Sequence, residues 1–406
     1  MSDLLPVEDA IARILIDAAP LGAEEVALAD AVGRRLAEPL AARRTQPPFP
    51  ASSMDGYAVR ATEAVAGARL KVIGVAAAGH GFEGSLGQGE AVRIFTGAPV
   101  PAAADAVLIQ EDAEAGDEAI TVRETVRAGQ NIRPAGLDFA EGAVLLDAGR
   151  RLGMREIALA SAMGYGRHVV RRQPRVAFIA TGDELVPPGV MPAGDQIVAS
   201  SGAGLAAFVQ GLGASAQDLG IVPDDRRAIE RAVETALALP ADIIVTLGGA
   251  SVGDHDLVRD ALAAQGMDLD FWRIAMRPGK PLLFGRLTRT GGRITRVLGL
   301  PGNPVSSLVC AILFLQPLIE AFLGVPRTDP TEDAILATPL PANDRRQDYL
   351  RAGLGRAPDG RPLATPFAVQ DSSMLAVLAA AGCLVVRPPL ALPARAGDPC
   401  RIIRLP

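Results

Sequence analysis

A chain of 406 residues exceeds what one small hydrophobic core organises and predicts two to four domains. With 49% hydrophobic and 21% charged residues it has a globular composition, which excludes a disordered chain. A net charge of −6 without a basic run argues against nucleic-acid binding, so any anionic ligand must be held by local donors.

The longest apolar run, residues 308–315, falls short of the roughly 18 residues that a membrane span requires. The acidic start, Met1 to Asp9, lacks the basic region of a secretory signal, so the expectation is a cytoplasmic protein with no membrane partner. Cys310, Cys383 and Cys400 lie among apolar neighbours without metal-site spacing and read as reduced core residues. His80, His168 and His255 are too few and too scattered for a histidine-rich metal site. Lys71 and Lys280 are the only lysines in an arginine-rich chain, and Lys280 stands in Arg277-Pro-Gly-Lys-Pro281, where a compact ammonium suits a phosphate.

In chain order, Val7, Ile11, Ile14 and Leu15 predict an amphipathic helix that begins near Pro6. Residues 45–57 are proline-rich and predict a rigid extended connection. Short β runs separated by Gly and Pro turns fill residues 70–122, a small β-rich domain. From about Arg175 strands and helices alternate. Strands are predicted at 176–180, 218–222, 243–246, 282–284 and 297–300. Helices are predicted at 199–212, at 224–239 with Asp224 as N-cap, at 257–265, and at 303–323 with a kink at Pro317. That alternation implies a parallel sheet with helices on both faces and ligands at the carboxyl ends of its strands. After Pro326 short runs split by Pro and Gly predict a compact β-barrel.

Three motifs fall at those strand ends: Thr181-Gly-Asp-Glu-Leu, Thr246-Leu-Gly-Gly-Ala-Ser-Val-Gly-Asp-His-Asp256, and Leu300-Pro-Gly-Asn-Pro-Val-Ser306. Gly248 and Gly249 would let backbone N–H groups face an anion, and Asp254 and Asp256 would let a hard cation bridge to it. The alternative is a glycine-rich turn with solvated aspartates. Glu184 is open between metal ligand, general base and helix-start carboxylate. Asn303, Pro304 and Ser306 read either as capping chemistry or as a helix start aimed at phosphate. Outside this unit, Asp55 beside Gly56, Thr96 with Gly97, and Arg133 with Asp138 suit an oxyanion reaction, or are ordinary turn and surface residues.

Taken together, Ser53-Met-Asp-Gly-Tyr-Ala, Thr96-Gly-Ala-Pro-Val-Pro, Asn131-Ile-Arg, Thr181-Gly-Asp-Glu-Leu, Gly248-Gly-Ala-Ser-Val-Gly-Asp, Pro278-Gly-Lys-Pro and Leu300-Pro-Gly-Asn-Pro-Val-Ser resemble, in the same order, the molybdopterin molybdenumtransferases, which include bacterial MoeA proteins and the E domain of gephyrin. The resemblance implies a multidomain α/β plus β fold. An elongated domain I would comprise residues 1–46 and 143–173, and a β-rich inserted domain II residues 47–142. A central α/β molybdopterin-binding domain III would span 174–326 and a C-terminal β-barrel domain IV 327–406. It implies a homodimer with clefts between subunits, possible pathway partner proteins, and Mg²⁺-dependent insertion of molybdate into adenylylated molybdopterin with release of AMP. By resemblance Asp55, Asp138, Glu184 and Asp254 are catalytic, and Glu184, Asp254 and Asp256 hold Mg²⁺. Thr96, Gly97, Arg133, Gly248, Gly249, Ser251, Arg277, Lys280, Pro301, Asn303, Pro304 and Ser306 would bind the adenylylated pterin. The chain departs from the family where Pro50-Ala-Ser-Ser replaces an Asp-Asn-Ser-Ala stretch and where Leu137 replaces a common acidic residue. The rival readings are a molybdopterin adenylyltransferase-like enzyme and a non-catalytic molybdopterin-binding scaffold.

Overall fold

The computed structural model describes residues 4–249, 257–289 and 291–406. It comprises two compact units, one of Glu25–Val32 and Leu36–Val170, the other of Met1–Glu24, Gly33–Arg35 and Arg171–Pro406.

The larger unit is built on a six-stranded sheet in the order Ser215–Val222, Arg175–Thr181, Ile243–Leu247, Ile294–Leu300, Pro281–Thr288, Met267–Arg273. The first four strands run parallel. The last two pair antiparallel, which corrects the expectation of a wholly parallel sheet. The reason is connection length: residues 289–293 are too few for a crossover and permit only a hairpin.

Alternate residues of each strand feed opposite faces. Val176, Phe178 and Val245 point into one core with Ile11 and Ile14 of the Val7–Leu15 helix, Leu205 and Val209 of Ser201–Gly211, and Val305 and Phe314. Ala177, Ile179 and Ile244 point into the other, with Ile229 and Val233 of the Arg226–Ala238 helix and Val258 and Leu262 of Leu257–Ala264. Full burial of each such large apolar side chain is worth about 1.5–3 kcal/mol, so both helix layers are held by the sheet.

Two further sequence expectations change in this unit. The N-cap of the Arg226–Ala238 helix is Asp225, whose carboxylate accepts from Ala228 N at 2.9 Å, and Asp224 is displaced one residue upstream. The last helix runs over 19 residues, Pro304–Phe322, long and apolar enough by composition to cross a membrane, but it is mostly buried as the core helix of the unit. Polar residues within it broke the run that the sequence presented. Its irregularity is a wide π turn over Ala311–Leu315, which relieves the clash that Pro317 would make with the carbonyl four residues back.

Five strands of the same unit, Thr331–Leu336, Gln347–Arg356, Pro362–Pro366, Cys383–Arg387 and Pro399–Arg404, close into a barrel when Cys383–Arg387 pairs back onto Gln347–Arg356. Its interior is narrow and is filled largely by small side chains, among them Ala334, Ala352, Ala364 and Cys383. Met276–Arg277 adds to the barrel edge, pairing parallel with Gln347 and Asp348.

The smaller unit carries a six-stranded β sheet from Gly56–Val59, Arg69–Ala76, Glu90–Ile94, Ala106–Ile109, Ala113–Ala115 and Ala119–Val122. A separate core packs Leu36, Leu40, Leu152, Met163 and Val170 around the Met154–Ala162 helix.

Candidate active site

A pocket of about 810 Å³ opens at the carboxyl ends of the parallel strands and gathers Thr181, Gly182, Glu184, Gly248, Gly249, Pro301, Asn303 and Pro304. All three strand-end motifs therefore meet in one place. Gly248 (φ 88°) and Gly249 (φ 65°) adopt left-handed backbone. A Cβ on Gly248 would lie 2.7 Å from the Thr181 carbonyl oxygen, and one on Gly249 2.2 Å from Val258 Cγ2. Glycine is thus required both for the turn and for its close approach to the Thr181 strand end. The Thr181 hydroxyl is buried beneath the Gly248–Gly249 turn and has no hydrogen-bond partner among the described residues.

Asp224 is a pocket residue that the sequence reading took for a cap. Burial raises its pKa above the usual carboxylate value, and the Asp183 and Glu184 charges push it further the same way. Its backbone N–H donates to Asp183 Oδ1 at 3.0 Å, which holds the two strand ends together. The signal that would have found it is its position just past the Ser215–Val222 strand, at the same sheet edge as the three motifs.

The helix start behaves differently from plain capping. Asn303 makes no side-chain cap, and its Nδ2 donates instead to Ser372 Oγ at 3.0 Å. Val305 N–H donates to the Ser372 carbonyl at 3.1 Å, so it is not free for a phosphate. Ser306 is 4% exposed and does not line the pocket. The barrel loop contributes Ser373 and Leu375 to the pocket wall, residues that no sequence motif marked.

Arg277 and Lys280 lie outside the pocket lining, although Pro281 is part of it. Arg277 is engaged by the barrel: its Nη2 is 2.7 Å from Asp344 Oδ2 and its Nε 3.3 Å from Asp348 Oδ1. Hydrogen bonds from the Arg346 side chain and backbone hold Asp344 down at about 2. Lys280 is exposed.

In the smaller unit three motifs are braided. Ser52 N donates to Ala98 O at 3.0 Å, Gly97 N to Ser52 O at 2.9 Å, and Ser53 N to Asn131 O at 2.9 Å. Arg133 stands opposite Ala51 in the short strand pair and is exposed. Asp55 Oδ1 accepts from Thr96 N at 2.7 Å and Thr96 Oγ1 at 2.8 Å. Those bonds, backbone first, hold the Asp55 carboxyl below its usual value. Gly56 admits no side chain, since a Cβ would meet the Leu108 carbonyl oxygen at 2.0 Å. Asp138 is exposed on a turn where its N–H donates to Gln46 O at 3.0 Å.

Ser251, Asp254 and Asp256 lie outside the described residues. Among the described residues no group of three or more His, Cys, Asp or Glu is placed to hold a metal ion. Asp183 and Glu184 lie near enough to Asp224 for their charges to add to burial in raising its pKa, which puts hard oxygen donors at the strand ends without arranging these three as a metal site.

Three family models cover most of the chain: the MoeA N-terminal region (domain I and II) at residues 5–164, a probable molybdopterin binding domain at 177–321, and the MoeA C-terminal region (domain IV) at 333–405. A molybdopterin molybdenumtransferase from Haemophilus influenzae is 33% identical over 370 residues, 90% of each chain. One from Bacillus subtilis is 33% identical over 395 residues, covering 95% of this chain and 90% of the relative. The crystal structure of a molybdopterin biosynthesis MoeA protein from Pyrococcus horikosii superposes with a TM-score of 0.83 at 31% identity, over 99% of each chain.

Proposed function

The chain belongs to the molybdopterin molybdenumtransferase family, and we propose that its α/β pocket binds adenylylated molybdopterin and that the enzyme inserts molybdate into it with release of AMP. The observation that carries this reading is the convergence of the Thr181, Gly248 and Pro301 turns with Asp224 on one pocket of about 810 Å³.

Attack of water on the phosphoanhydride forms one new P–O bond as the bridging P–O bond breaks, which separates AMP from the pterin phosphate, releases the water protons and develops negative charge on the departing phosphate oxygens. The Gly248–Gly249 turn keeps side chains away from that group, with the Gly248 N–H itself donating to the Leu300 carbonyl at 3.3 Å. Lys280 adds a mobile positive charge close to the Pro281 edge of the pocket. Asp224, whose pKa burial raises above the usual carboxylate value, is the pocket carboxylate best suited to exchange a proton with the substrate, and Glu184 stands beside it in the pocket. Glu184 and Asp224, with Asp254 and Asp256, are the residues that would hold Mg²⁺. Once bound, Mg²⁺ would offset the charge of the substrate phosphates. Molybdate enters as substrate.

The second constellation, Asp55 with Thr96, Gly97, Arg133 and Asp138, belongs to the same reaction in this reading, supplied by the partner subunit of a cytoplasmic homodimer. A co-expression test separates the alternatives. Asp55→Asn and Glu184→Gln subunits are each inactive alone. A mixed dimer regains AMP release only if one subunit lends Asp55 to the other's Glu184 cleft. No regain on mixing, together with a monomeric mass in solution, sinks the shared cleft. For the reaction itself, molybdate-dependent AMP release by the purified chain supports the transferase, and adenylylated molybdopterin bound without turnover refutes it.

A further inference from the structure

We propose that Arg351 is a positioning residue for this pocket, acting through the 370–375 barrel loop on the start of the Pro304–Phe322 helix. The proposal rests on the reading of the pocket as the site of the adenylylated pterin.

Arg351 stands on the Gln347–Arg356 barrel strand and is 1% exposed. Burying a guanidinium is costly unless its donors are satisfied. Here its side chain hydrogen-bonds to uncharged oxygens of one loop. Its Nε donates to Gln370 Oε1 at 3.2 Å, and its Nη1 to the carbonyls of Asp371 at 2.8 Å and Met374 at 3.4 Å. The Gln370 amide locks the arrangement, accepting from Arg351 N at 2.9 Å and donating back to Arg351 O at 2.9 Å. A buried cation committed to carbonyls in this way contributes little net stability that apolar packing would not match. What it does is hold the loop in one shape.

That loop then fixes the pocket. Ser372 receives the Asn303 amide on its hydroxyl and the Val305 N–H on its carbonyl. Ser373, whose N–H donates to Asp371 Oδ1 at 2.9 Å, lines the pocket beside Asn303 and Pro304. The path from Arg351 to the pocket wall is therefore continuous: guanidinium, loop carbonyls, Ser372, Asn303. Arg351 itself does not line the pocket.

The test uses the full chain with Arg351→Met, Ser372→Ala and the double variant. Three quantities are read: the dissociation constant for adenylylated molybdopterin from pterin fluorescence, KM and kcat for AMP release, and the thermal midpoint. Loss of one such hydrogen-bonded support predicts a dissociation constant and KM raised about tenfold, with kcat within about twofold. Because the two residues act along one path, the double variant binds no more weakly than the worse single variant. A merely structural role would lower the thermal midpoint and the active fraction and leave KM unchanged. Unaltered binding by both variants overturns the proposal. If Arg351→Met fails to fold, Ser372→Ala decides alone by the same criterion. If the wild-type chain binds the pterin without releasing AMP, the transferase reading fails while the binding comparison still tests Arg351. If it does not bind the pterin, both fail.

Discussion

The Asp55 carboxylate receives two hydrogen bonds from a single residue: Thr96 donates its backbone N–H at 2.7 Å and its hydroxyl at 2.8 Å to the same oxygen, Oδ1. Both bonds fall on one oxygen, which orients the carboxylate, and the ionised form is favoured.

Thr96→Val removes the hydroxyl bond and keeps the backbone one, so the Asp55 pKa moves up toward its ordinary value of 3.8. Because the folded value is depressed, the stabilisation is present above pH 3.8 and is lost as pH falls through the folded value. An NMR titration of the Asp55 carboxyl in both proteins checks this. Identical midpoints contradict it.

Gly248→Ala puts a Cβ 2.7 Å from the Thr181 carbonyl oxygen at a φ of 88°. A strained left-handed alanine that also displaces backbone costs about 1–3 kcal/mol and distorts the turn at this strand end. The expected outcome is a lower thermal midpoint and loss of pterin binding. Gly291→Ala, at φ 83° with nothing within 4 Å, should lower the midpoint less and spare binding.

Asp242 is 3% exposed and anchors the start of the sheet, accepting from Arg172 Nη1 at 3.0 Å, Arg172 Nη2 at 2.9 Å, Arg293 Nη2 at 2.9 Å and Arg175 N at 2.9 Å. Burial opposes its ionisation, but the Arg172 and Arg175 hydrogen bonds outweigh it and the pKa falls below 3.8. Asp242→Leu strands the arginines and should cost about 3–5 kcal/mol. The native contribution is present above pH 3.8 and disappears as pH drops through the folded value, so the variant loses less stability on acidification than the wild type does. Urea titrations at pH 7 and below pH 3.8 measure both.

At Asp224 the sign is reversed. Its raised pKa means that the folded state is favoured below pH 3.8 and that this advantage is lost as pH rises through the folded value. Asp224→Asn should therefore raise the thermal midpoint at pH 7 while weakening any midpoint increase caused by millimolar Mg²⁺. A Mg²⁺ response equal to that of the wild type rejects Asp224 as a cation ligand.

Much of the fold was legible because its determinants are contiguous. Residues 176–180 and 243–246 are continuous apolar runs, Val7, Ile11 and Ile14 repeat at helical spacing, and Gly248-Gly249 announces a turn that only glycine adopts. The misplaced N-cap, Asp225 for Asp224, came from two adjacent aspartates that capping preference alone does not distinguish.

The sequence by itself determined the α/β alternation, the strand-end position of the three pocket motifs and the C-terminal barrel, because apolar periodicity and turn chemistry act over a few neighbouring residues. The tertiary structure alone decided that Arg277 is occupied by Asp344, 67 residues away, that Asn303 donates to Ser372, 69 residues away, and that Arg351 serves the loop between 370 and 374. The first two partnerships depend on how the barrel packs against the α/β sheet and the third on closure of the barrel itself, and a hydrogen bond across such a distance in the chain exists only once burial has brought its two ends together and removed the competing water.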